Sequence, residues 1–237
     1  MFIGHFAVGF ASKRLAPRTS LAALVAAAAF VDILWPIFVL LGIEAVRIDP
    51  GNTAMTPMDF VSYPWTHSLL MALAWGAAFG LAWRAATGDG RGAWVLAALV
   101  PSHWVLDFAS HRPDLPLVPG AGPRLGLGLW NSIPATLAVE GALFVAGLAV
   151  YLATTRAANR KGTIGLWAFV AFLLAGYLGN LAQVPPSATA VAVAGLLASA
   201  ISLPWIWWFD RNRELRPSPA ASTASAAAPG APPPRRG

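Results

Sequence analysis

Long apolar runs separated by short polar stretches dominate the first 213 residues of the chain. Six of them, at about 20–44, 66–84, 92–111, 131–154, 163–183 and 188–209, each approach the roughly 20 residues a helix needs to cross a bilayer. Residues 1–11 are apolar but too short to span. They read as a short helix that lies in the membrane interface or dips into the bilayer. The run that begins near residue 20 continues to Ile43, longer than the apolar core of a signal peptide. The pattern predicts an all-α integral membrane bundle of about six transmembrane helices plus a short N-terminal apolar helix. From Glu214 onward Ala, Pro and Ser prevail, so residues 214–237 are expected to form a disordered tail outside a polytopic domain of residues 1–213.

Composition sharpens this picture. With 57% hydrophobic and only 11% charged residues, the chain is not an ordinary soluble domain. The absence of cysteine removes disulfides, thiolate metal sites and cysteine nucleophiles together. The net charge of +6 is spread over loops and tail, so no nucleic-acid partner is expected. Of the 16 Lys and Arg residues, only Arg47, Arg112 and Arg124 fall in the loops after the first, third and fifth crossings or their equivalents on that side. The other thirteen flank the opposite ends, which by the positive-inside rule puts both chain termini in the cytoplasm. The two outer loops, 45–65 and 112–130, are rich in Pro, Gly, Asp and Asn. Restricted backbones of this kind stay ordered and can roof a pocket.

Seven ionisable residues in or beside the apolar runs need a reason to be there: His5, Asp32, His67, His103, Asp107, His111 and Glu140. At about 100° per residue, 103, 107 and 111 fall within about 80° of one another and form one polar stripe. Asp32 lies roughly 18 Å from the inner start of the first span, and Glu140 roughly 13 Å below the outer start of the fourth. His67 begins the second span near the outer mouth. Most of the set therefore converges, from separate helices, in the outer half of the bilayer, as bundle metal sites do. Imidazole and carboxylate suit zinc, manganese or iron. His5 joins them only if its segment dips into the bilayer, because Arg14 should mark the cytoplasmic face.

Gly4-His5, Val31-Asp32, Trp65-Thr66-His67-Ser68-Leu69 and Ser102-His103-x3-Asp107 resemble the bacterial membrane-bound metal-dependent hydrolases of the YdjM-like group, over roughly the first 150 residues. The resemblance implies a multi-pass protein of the bacterial inner membrane. The order His, Asp, His, His-x3-Asp, His, Glu is also similar, more distantly, to the zinc-dependent phospholipase C and P1-type nuclease superfamily. That similarity gives all seven residues ligand-like places. It differs in having Thr136 four residues before Glu140 and Met at the start, so it implies one or two metals rather than three.

A centre of this kind would serve a hydrolase acting on a phosphoester of a lipid or lipid-linked substrate at the outer face, with zinc the first choice of divalent metal. Asp107 and Asp32 are the candidates for holding metal and accepting a proton. Arg112 and Arg47 are the candidates for binding phosphate. Two other uses remain open on sequence alone: a metal or proton transporter or channel built from the same groups, and a metal that serves only the fold.

Overall fold

The computed structural model describes residues 1–217, so positions 218–237 of the expected tail lie outside the described residues. Helices follow the apolar runs closely. Helix α1 is Ile3–Ser12; a bent pair follows, α2 (Leu21–Ala28) and α3 (Phe30–Leu40). The short α4 (Pro64–His67) leads into α5 (Leu69–Thr87) and α6 (Gly90–Ser110). Then come α7 (Ile133–Thr154), α8 (Arg160–Ala182) and α9 (Ala188–Asp210). Five of these helices are long and apolar enough to cross a membrane, and the bent pair passes the same test when its two halves are taken together. The chain is a multi-pass, all-helical membrane protein. Among the described residues its sheet content is three two-stranded pairs.

Local chemistry sets where the helices start. Ser20, Ser68, Ser132 and Ser187 each accept a hydrogen bond from a backbone N–H in the first turn of α2, α5, α7 and α9. Asp89 does the same for α6 and Asn159 for α8. Such side chains satisfy donors that the first turn cannot pair internally. The hydrogen bond from Gly92 holds the Asp89 carboxyl below its ordinary range. Between α5 and α6 the chain reverses at Gly88, whose φ of +72° suits glycine and closes the helix with a bond to Arg84 O.

Inside the bundle, α1 packs along α7 and also touches α2, α6 and α8. It does not lie in the interface. The contact is backbone to backbone: a Cβ at Gly147 would collide with Ala7. Likewise Gly76 and Gly80 let α5 approach the Ala97 and Ala93 carbonyls of α6. Close approach through small residues is how helices gain packing energy where lipid offers the same apolar environment as the protein. One core joins Phe10, Phe144, Tyr151, Phe169 and Phe209; another joins Leu24, Val31, Leu96 and Val100. Leu73, Leu81, Trp94, Val145, Ile164 and Leu197 remain exposed on the outside of the bundle, as a lipid-facing surface requires.

The two ends of the bundle differ in chemistry. At one end Lys13 Nζ donates to Asp210 Oδ2 at 2.9 Å, Tyr151 donates to Asp210 Oδ1 at 2.8 Å, and Thr19 donates to Asp89 at 3.1 Å. There β5 (Thr155–Ala157) pairs antiparallel with β6 (Arg213–Leu215). Glu214 and Leu215, placed in the tail by composition, therefore belong to the folded part. At the other end β1 (Ala45–Ile48) pairs with β2 (Met58–Ser62), and β3 (Leu115–Pro116) with β4 (Arg124–Leu125). Most of the basic residues thus gather at the Lys13 end, and the proline-rich loops form a folded roof at the other.

Candidate metal centre

His103 is the hub. It sits on α6 with 1% exposure, and its Nδ1 lies 2.9 Å from the carbonyl oxygen of Ala28, the last residue of α2 before the chain bends by 57° into α3. That carbonyl fixes the ring with Nδ1 protonated and Nε2 free. Nε2 lies 3.0 Å from Asp107 Oδ2 and 3.5 Å from Asp32 Oδ1, yet off the line of a hydrogen bond. A buried imidazole lone pair that faces carboxylate oxygens without bonding to them has the chemistry of a metal ligand.

Three more imidazoles point Nε2 at the same place. His5 stacks on His103 with ring centroids 3.5 Å apart and reaches Asp107 Oδ1 at 3.1 Å. His67, at the end of α4, lies 3.3 Å from Asp32 Oδ1 and 3.8 Å from Asp107 Oδ2. His111, the residue that ends α6, lies 3.8 Å from Asp107 Oδ2. Asp107 is thus ringed by four histidines, with His5 on one oxygen and the others on the second. Among the described residues, two groups have ligand atoms mutually close enough to hold an ion: His5, His103 and Asp107, and Asp32, His67 and His103. The buried His and Asp side chains can hold a metal.

Behind the ring stands a second layer. Thr66 Oγ1 donates to Glu44 Oε2 at 2.7 Å and faces His67 Nδ1 at 2.7 Å, so it accepts from that nitrogen. Asp114 Oδ1 faces His111 Nδ1 at 3.0 Å and accepts from Tyr63 at 2.7 Å. Partners of this type fix the tautomer and aim of a metal-bound imidazole. Burial works against the Asp114 carboxylate, but the bonds from His111, Tyr63 and Arg112 outweigh it and hold its pKa down.

Two expectations need correction. Like His111, Glu140 is absent from both ligand groups. Its Oε2 accepts from the backbone N–H of Phe2 at 2.8 Å and Gly4 at 3.3 Å, so it anchors the start of α1. The start of the chain is also not at the Lys13 end: the amino group of Met1 contacts Asp107 and donates to Ser110 Oγ at 3.0 Å. The α1 segment threads into the bundle, which is what carries His5 to the centre.

Arg47 and Arg112, expected at a phosphate, are both engaged in the roof. Arg47 donates to Asp59 at 2.6 Å; Arg112 donates to Asp59, to Asn52 and, at 3.2 Å, to Asp114. A phosphate would have to compete with Asp59 and Asp114 for them. Glu44, Thr66, Tyr63 and Asp114 have roles that the spacing of residues did not reveal. Their only sequence signals are adjacency: Thr66 precedes His67, and Asp114 follows His111 by three residues.

Openness separates the two aspartates. The Asp107 side chain is 3% exposed and the Asp32 side chain 47%, so the centre opens to its surroundings at Asp32. Comparison of the chain with protein-family models, with curated proteins and with solved structures returns no significant match.

Proposed function

We propose that the protein is a membrane-embedded, metal-dependent hydrolase of the bacterial inner membrane, acting on a phosphoester of a lipid or lipid-linked substrate. The observation that carries the reading is the ring of four imidazole Nε2 atoms around one buried carboxylate, with a second carboxylate at the opening. The donors fit a divalent cation: neutral nitrogens and carboxylate oxygens, with three of the four rings oriented from behind. Zinc is the first choice for such a set, with manganese or iron next. When bound, the metal would supply a Lewis acid and lower the pKa of its water.

The remaining chemistry belongs to the chain. His5, His67 and His103 would hold the cation with Asp107 and Asp32, and His111, 3.8 Å from Asp107 Oδ2, would close the ring around it. Asp32, half-exposed at the opening, accepts the proton that the attacking water gives up and meets the substrate first. The half of the bundle between the centre and Lys13 is filled by Phe10, Leu21, Leu24 and Val25, all buried. This supports an enclosed pocket rather than a polar path for transport. The basic loops at the Lys13 end support placing that end in the cytoplasm and the roofed centre toward the outer face. The short motifs shared with YdjM-like hydrolases point the same way.

The test is turnover. Zinc-loaded protein in liposomes is given phosphatidic acid, phosphatidylglycerol and a polyprenyl diphosphate, and release of water-soluble phosphate is followed. Release that Asp107→Asn abolishes, with the variant still folded, is the expected result. Metal bound but no release from any of these lipids contradicts the reading.

A further inference from the structure

The flank of the bundle between α3 and α5 carries a trough of about 430 Å³, lined by Phe30 of α3 and by Trp75, Ala78, Phe79, Ala82, Trp83 and Ala86 of α5. Residues four apart line up along a helix. Ala78, Ala82 and Ala86 form one row, a floor of methyl groups exposed on the outside of the bundle; Trp75, Phe79 and Trp83 form the next, a wall of half-buried rings. The wall is fixed from behind, because its rings pack on the core that joins Leu24, Val31, Leu96 and Val100. Phe30 closes the upper end, its ring 5.9 Å from that of Trp75 and 5.3 Å from that of Phe79.

The upper end is built by the same elements as the opening of the metal centre. Trp75 Nε1 donates at 2.8 Å to the carbonyl of Trp65, in the short helix α4 that ends at His67. Phe30 begins α3, two residues before Asp32. Asp32 Oδ1 faces His67 Nε2 at 3.3 Å, and its side chain is 47% exposed. From there α5 runs to the opposite end of the bundle, where Asp89 meets Thr19. At 1.5 Å per residue, Trp75 to Ala86 covers about 16 Å. That is about the depth of one leaflet, half of a hydrocarbon core of about 30 Å.

We propose that the trough holds one acyl chain of a phospholipid whose phosphate lies at Asp32, so that the substrate enters sideways from the bilayer and not from water. The phosphate end of this proposal rests on the hydrolase reading; the chain end does not. Lipid tails are as apolar as the trough, so the contact gains orientation and not transfer free energy. A chain laid on the alanine floor against fixed rings brings its headgroup end to the half-exposed carboxylate. Length selects the occupant: a chain that crosses one leaflet fits between Trp75 and Ala86, whereas a polyprenyl chain of many units runs past the end.

Photocrosslinking reads the chain without turnover. Full-length protein in phosphatidylglycerol liposomes receives a trace of phosphatidic acid with a diazirine at the end of one acyl chain, and labelled peptides are mapped by mass spectrometry. Label is expected around Ala82 and Ala86. Ala82→Leu, which fills the floor at an exposed position, should cut that label about 10-fold. Ala77→Leu, also exposed on α5 but outside the trough, should leave it unchanged. Label spread evenly over the lipid-facing helices, or trough label that Ala82→Leu does not reduce, would overturn the proposal. Stronger trough labelling by a diazirine polyprenyl phosphate would overturn the choice of an acyl chain, and equal labelling by the matching diacylglycerol would overturn the placing of the phosphate at Asp32. Trough label without phosphate release from any lipid would sink the hydrolase reading and leave the chain site standing.

Discussion

Thr66 shows what fixing a ligand from behind is worth. Its hydroxyl accepts from His67 Nδ1 and donates to Glu44, all three side chains being buried. Thr66→Val keeps the shape and removes the hydroxyl, leaving an imidazole N–H and a carboxylate oxygen unpaired. We expect about 1–3 kcal/mol lower stability and zinc affinity about 10–100-fold weaker, checked by thermal unfolding and chelator competition. An affinity equal to wild type would show that His67 is not a ligand. Sequence reading reached the ring itself: His103 and Asp107 share a helix face by spacing, and Asp32 and His67 were placed by depth. It missed the layer behind, because Glu44 and Thr66 meet through a loop that no periodicity describes. Glu140 was read at a suitable depth, but depth does not tell whether a carboxylate faces a neighbouring imidazole or a neighbouring backbone.

At the level of elements, α1 is the segment on which the centre depends. It brings His5 into the bundle by lying against α7, at a contact where Gly147 meets the Ala7 backbone. Gly147→Ala inserts a methyl group where none fits. It should cost about 1–3 kcal/mol and displace α1, so zinc affinity should fall along with the unfolding temperature. A variant that binds zinc and unfolds like the wild type would mean that α1 can shift without consequence. The six long runs were legible because length and hydropathy alone decide whether a helix can cross a bilayer. The place of α1 was not: a short apolar segment has the same composition on the interface and inside a bundle. Nor was the bend at Ala29, where Ala28 offers its carbonyl to His103.

The whole molecule is held by two polar clusters at opposite ends of an apolar interior. The one at the basic end, Lys13 with Asp210 and Tyr151, is buried and tied further to the Thr19 carbonyl and the Leu21 N–H. Asp210→Ala leaves the Lys13 ammonium without its counter-charge and should cost about 3–5 kcal/mol, while zinc stoichiometry stays that of the wild type. Loss of metal in that variant would show that the two ends are coupled. The sidedness of the basic residues was readable from the loops, whereas the interior position of Met1 depends on how α1 packs. Everything argued about the chemistry depends on the centre holding a cation. The most direct test is elemental mass spectrometry on detergent-purified wild type beside His103→Ala and Asp107→Ala. The account predicts one or two equivalents of zinc, manganese or iron per wild-type chain, lost in both variants while the helical content is kept. A wild type without metal even after reconstitution, or variants that retain it in full, would contradict the account.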